Sequence, residues 1–261
     1  MHIKPELKIV ARVLHSPLFV LGISALIVFA SFGIRQSFGL FLVPISIDLG
    51  WGRETLSFAL AFQNLMIGIA APFAGAIAAR WGAARTIALG GLIFCLGILT
   101  MSQAVAPAEM ITGAGIMAGI GLSACGMPLI LATVSQIAPR ERRSLWVGIA
   151  TASATGGQLI VLPLSQALLN QYDWVIALTI LSVLAGLIVP MALSMSSSVT
   201  LETGKDTEIT IRQAIAEAIG HRSFLLLITG FYVCGFHVAF IAVHLPAYLF
   251  DEGASIELGA T

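Results

Sequence analysis

Charge is what this 261-residue chain has least of. Only 10% of its residues are Asp, Glu, Lys or Arg, against about a quarter in soluble domains. The 13 cations balance 13 acids, so there is no net charge and no basic field to attract a nucleic acid. Cysteine is also scarce. Cys95, Cys125 and Cys234 each stand alone in an apolar run, without the close pairing of a zinc or redox site. No metal and no cofactor is expected. Acids are missing from the interior of every long apolar run, and neither H-E-x-x-H nor G-x-S-x-G occurs, which argues against an enzyme.

What the chain has instead is apolar length. It is 58% hydrophobic with a mean hydropathy of +0.98. Seven runs, 18–47, 55–79, 86–106, 109–137, 144–170, 174–195 and 223–250, are each long enough to cross a hydrocarbon core of about 30 Å. They are far longer than barrel strands and do not alternate in polarity, so the expected fold is all-α and polytopic. The first run follows Lys4, Lys8 and Arg12 as a signal peptide would, but it is too long for an h-region and reads as an uncleaved anchor.

Cations orient the chain. Counted through the spans, Lys4, Lys8, Arg12, Arg80, Arg85, Arg140, Arg142, Arg143, Lys205, Arg212 and Arg222 fall on the side of the N-terminus. Arg53 falls on the other side and Arg35 within a span. The positive-inside rule puts the N-terminus in the cytoplasm, the opposite polarity to a seven-helix receptor. The longest polar interval separates a six-span bundle, residues 1–195, from a seventh span with following residues, 223–261. The intervening linker, 196–222, is cytoplasmic, and Ile211, Ile215 and Ile219 recur there at the spacing of a surface or solvated helix.

The bundle carries a faint internal repeat. PFAGAIAARWG at 72–82 and PLSQALLNQYD at 163–173 share a proline, an alanine four later, an aliphatic next, and an aromatic nine after the proline. Spans one to three and four to six are then related triplets, as in transporters built from inverted repeats.

GAIAARWGAAR, at 75–85 between spans two and three, resembles the loop motif of the major facilitator superfamily, roughly G-x-x-x-D-R-x-G-R-R. Gly75, Arg80, Gly82 and Arg85 match, while Ala79 stands where the family has an acid. RRSLWVGIATASATGG, at 142–157, resembles the fifth helix of monocarboxylate transporters through Arg142, Arg143, Leu145, Gly148, Ala150, Ala152 and Gly157, with Ser153 in place of a usual glycine. IDLGWGRETLS and GFHVAFIAVHLPAYL look like bacterial monocarboxylate-type porters, the oxalate/formate antiporter-like branch. The acidic-glycine-aromatic motif of that family's first helix is absent.

The resemblance implies a proton-linked or exchange carrier for small organic anions, working by alternating access in a bacterial inner membrane. A non-transporting membrane receptor or scaffold, or a carrier of another small solute, is the alternative. A typical member has twelve helices, and the tail DEGASIELGAT reads as an outer loop entering an eighth. The expectation is an incomplete carrier that needs a C-terminal half, or a second copy of itself, to complete a transport cycle.

Arg35, in FGIRQSFG, is the one cation inside a span. There an arginine costs about 2.5 kcal/mol or more unless it meets a polar interior. Two readings stand open: snorkelling to the outer headgroups, or gripping a carboxylate with paired hydrogen bonds in a low-dielectric cavity. The resemblance favours the second, since these porters hold anions with intramembrane cations, one of them on the first helix; Gln36 is adjacent to that position. Gln63 and Asn64 in span two and Gln158 in span five can line a cavity or join helices. His237 and His244, seven residues apart, share a helix face. Each can bind an anion, take a proton, or be satisfied by a neighbouring helix.

Overall fold

The computed structural model describes residues 16–195, 217 and 219–252. The surface-helix expectation for residues 211–219 and the reading of the tail after Glu252 lie largely outside the described residues. Among those described, the chain is helical throughout. Seven helices are long and apolar enough to cross a membrane: α1 Pro17–Asp48, α2 Arg53–Trp81, α3 Ala83–Ser102, α4 Pro107–Ile137, α5 Arg140–Gln171, α6 Trp174–Ser194 and α7 Arg222–Asp251.

Helix ends are set by local chemistry more than by apolarity. Ser16 caps α1, its hydroxyl accepting from the Phe19 N–H with Pro17 at the first helical position, where proline loses no hydrogen bond. Asp173 caps α6 by accepting from the Ile176 N–H at 2.8 Å. Between α3 and α4 the apolar run to Ala106 overstates the helix. α3 stops at Ser102, and Pro107 opens α4 with the Glu109 carboxylate accepting from the N–H groups of Val105 and Ala106. The α2–α3 turn is made at Gly82, whose φ of 91° suits a residue without a Cβ.

Two helices are irregular inside the bundle. α1 tightens into a 3-10 turn at Phe38–Phe41 before resuming as Leu42–Asp48. α4 contains a π-helical stretch, Ile111–Met117, and a break at Gly126 before Met127–Ile137. Such departures often mark functional positions in a helix.

The first helix packs mainly on the fifth and the second on the fourth, while the third packs on both the fourth and the sixth. Exchanging one with four, two with five and three with six relates the one–five contact to the two–four contact and returns the three–six contact to itself, as related triplets require. The extensive three–four contact has only a smaller counterpart between six and one. α2 and the regular part of α5, Arg143–Gln171, are each 29 residues long, with Pro72 and Pro163 at matching depth. The described helices thus carry the 3+3 arrangement expected from the repeat.

Burial follows from that packing. In α4, 67% of the apolar stretch is buried, in α2 17%, and in α7 none of it. Large apolar side chains such as Leu65, Ile69, Phe73, Leu159 and Phe231 remain exposed, as helices bathed in lipid allow because no hydrophobic penalty attaches to that surface. Buried serines are mostly satisfied within their own helices, Ser37 donating to the Ile34 carbonyl and Ser123 to Ile120. The interior therefore has few polar side chains left to point at a ligand.

Candidate anion-binding cleft

α7 lies against the 3-10 turn and last segment of α1, and a cleft opens between α7 and α2. At its inner end is a crevice of about 20 Å³ lined by Arg35, Gln36, Gly39, Leu60, Gln63, Asn64, Ala239 and Val243. That is room for one water-sized group. Leu60, Asn64, Ala239 and Val243 also line an adjoining cavity of about 650 Å³ between the same two helices. Ser57 and His244 pass from that cavity into a third space, about 460 Å³, near the end of α7.

The Arg35 guanidinium turns into this crevice. One terminal nitrogen donates to the Asn64 side-chain oxygen and the other to Gln36 Oε1 at 3.4 Å. The Phe32 ring lies 5.8 Å from the guanidinium carbon, within cation–π range. Asn64 is itself held, donating to the Leu60 carbonyl at 2.8 Å. Arg35 Nε is buried and has no partner, and among the described residues no carboxylate pairs with this cation. A buried N–H without an acceptor is costly, and this edge of the guanidinium is a donor with no acceptor within the described residues.

Gln63 lines the crevice and also joins helices. It is 2% exposed, and its side-chain amide donates to the Ala114 carbonyl of the π-helical stretch at 2.7 Å. Four of the seven candidates from sequence, Arg35, Gln36, Gln63 and Asn64, therefore meet at one place. His244 lines the outer cavities, with its ring 5.0 Å from Phe240. His237 is exposed, sits against its own Val233 carbonyl at 2.8 Å, and lines none of these three spaces. Gln158 is half-buried on α5 and is likewise apart from them.

The two motifs do separate jobs. Gly157 meets α1 where an added Cβ would lie 2.1 Å from the Phe29 carbonyl oxygen. Gly148 has open space around it, as does Gly75. Arg143 Nε donates to the Ser135 carbonyl near the end of α4 at 2.6 Å, satisfying a helix-end acceptor. Arg142 lies in the short turn before it, and Arg80 and Arg85 are exposed beside the Gly82 turn.

Two features of the cleft escape the sequence reading. Tyr232, Phe236 and Phe240 line the 650 Å³ cavity; their four-residue spacing was the available signal. Across the mouth, Arg53 at the start of α2 grips Asp251 at the end of α7 through two hydrogen bonds of 2.6 and 2.8 Å. Both residues fall on the same side in the topology count, which was the clue to their meeting. The hydrogen bonds from Arg53 hold the Asp251 carboxyl below the usual carboxylate range, and the like-signed Coulomb effect is smaller.

Residues 23–261 match the family described as Major Facilitator Superfamily, and the chain belongs to it. The family is one of transporters rather than enzymes. Similar proteins include monocarboxylate transporter 11 of Mus musculus, 29% identical over 171 residues, covering 63% of this chain and 38% of that protein. Monocarboxylate transporter 13 of Bos taurus is 27% identical over 230 residues, covering 85% of this chain and 51% of that one. The chain spans about half the length of these curated relatives or less. Among solved structures, a D-xylose–proton symporter superposes with a TM-score of 0.61 at 16% identity, over 94% of this chain and 63% of its own. A POT family transporter in complex with 5-aminolevulinic acid gives 0.55 at 16% identity, over 93% and 48%. These likenesses establish the fold.

Proposed function

We propose that this chain forms the N-terminal bundle and seventh helix of a secondary carrier for small organic anions, in particular monocarboxylates, working by alternating access with proton coupling or anion exchange. Residues 1–195 form the bundle, 196–222 a cytoplasmic linker, and 223–261 the first part of a second bundle. A second bundle closes the cleft from the opposite side. The cation distribution supports a cytoplasmic N-terminus, and the resemblance to bacterial porters supports an inner-membrane location. Names of the similar proteins support the substrate class.

The observation that carries this reading is Arg35: an intramembrane guanidinium at the base of a cleft, steadied by two side-chain amides, with a buried Nε–H left unpaired. A carboxylate entering there gains charge-assisted hydrogen bonds worth roughly 1.5–3 kcal/mol each. Losing two of them corresponds to about a hundredfold or more in affinity.

The test is equilibrium binding of labelled carboxylates to the purified chain in lipid nanodiscs, with uptake into vesicles when a C-terminal half from a related carrier is co-expressed. Arg35→Gln should lower affinity by about a hundredfold with membrane insertion unchanged. Arg35→Lys should recover part of it, keeping charge without the planar fork. Wild-type affinity in Arg35→Gln would make the arginine a structural anchor and end the proposal.

A further inference from the structure

The crevice beside Arg35 and the cavity that continues it differ in size and chemistry, and the difference selects a ligand. The crevice admits a water-sized group, so no more than a carboxylate oxygen of a ligand enters it beside the guanidinium. Everything else must occupy the adjoining space of about 650 Å³, which lies within the range of small-molecule sites. Its walls include Leu65 from α2 and Phe231, Tyr232, Phe236 and Phe240 from α7, with Ser57, Asn64 and His244 among its polar lining residues. Phe236 and Phe240 lie nearly parallel, ring centroids 6.0 Å apart and 20° between planes, and both line the cavity. Neither Lys nor Arg lines this larger cavity.

We infer that the ligand is a carboxylate with a single charge and a bulky apolar body, aryl in preference to a short chain, and that a dicarboxylate is selected against. The inference rests on the Arg35 reading above and specifies the substrate class of the same site. Two observations fix this occupant for the groove: it is continuous with the cation's crevice through Leu60, Asn64, Ala239 and Val243, and the cation supplies one charge to be matched. An aryl ring set against Phe236 and Phe240 leaves water and gains aromatic contact. A second carboxylate laid against these rings would lose part of its hydration with no Lys or Arg to meet it, His244 being the one basic side chain among the lining residues.

The test measures phenylacetate, acetate and succinate as competitors of labelled phenylacetate on the chain in nanodiscs, alongside Arg35→Gln and the double variant Phe236→Ala with Phe240→Ala. Phenylacetate should bind at least tenfold more tightly than acetate, about 1.4 kcal/mol, and succinate should be no better than acetate. The double variant should shrink the phenylacetate-to-acetate ratio toward one; both rings are more than half exposed, so their loss opens no core cavity. If acetate or succinate matches phenylacetate while Arg35→Gln still abolishes binding, the anion site stands and the assignment of the apolar body is overturned, the groove then being a seat for lipid or for another helix. If none of the three binds in an Arg35-dependent way, both readings fall.

Discussion

Gly157→Ala is the sharpest test of how the bundle is held together. The Cβ it adds would lie 2.1 Å from the Phe29 carbonyl oxygen and 3.0 Å from Phe29 Cα, while a Cβ at Gly33 would lie 2.6 Å from the Gly157 carbonyl oxygen. A Cβ atom essentially never lies closer than 3.0 Å to such neighbours, so α1 and α5 must part by about 1 Å at their crossing, and backbone atoms cannot swing aside as a side chain would. A gap of that size forfeits a quarter to a half of each contact's dispersion energy, and overpacking of this kind costs about 1–3 kcal/mol. Gly156→Ala is the control. Its Cβ meets only the Phe29 ring, at 3.7 Å, and alanine is the better helix former by up to about 1 kcal/mol. Thermal unfolding of the two variants in the same detergent should show Gly157→Ala clearly destabilised and Gly156→Ala at or above wild type. Equal melting of Gly157→Ala and wild type would refute the close crossing of α1 and α5.

Two further outcomes follow from the mouth and the loops. Asp251 has a folded-state pKa below its unfolded value, so the ion pair's contribution is present above the unfolded carboxylate pKa and is lost as pH falls through the lowered one. Cross-linking of cysteines placed at Ser57 and His244, which face the same cavities, should be unchanged from neutral pH down to the ordinary carboxylate range and fall only below it; Asp251→Asn should give the low value at every pH. A cysteine at residues 140–143 should be shielded from impermeant reagent in intact cells and one at 51–53 labelled; the reverse pattern would overturn the orientation.

The helical class and the seven spans were legible because each run is longer than any alternative element needs. Ends were less so, since apolarity continues through Gln103–Ala106 while Pro107 and Glu109 decide where α4 begins. The meeting of Arg35 with Asn64 was not visible, because it depends on how α1 and α2 rotate against each other. Gln36, Gln63, Asn64 and Gln158 are equivalent as intramembrane amides in sequence, yet Gln63 alone reaches the α4 backbone and Gln158 lines none of the three cavities. The aromatic stripe of α7 was legible as spacing but not as a wall, since the same spacing suits a face turned to lipid.

The register of α2 ties these parts into one path. Arg53, Ser57, Leu60 and Asn64 succeed one another at steps of four, three and four residues, so they share a face of the helix, and that face lines successive parts of the α2–α7 cleft. Arg53 holds the C-terminal end of α7 through Asp251, and Asn64 holds the guanidinium of Arg35. α7 can therefore leave α2 only by breaking an exposed ion pair, which is worth little in water, whereas Arg35 stays oriented by amides belonging to the bundle. In the proposed carrier, movement of the seventh helix would then open or close access to the anion site without dismantling it.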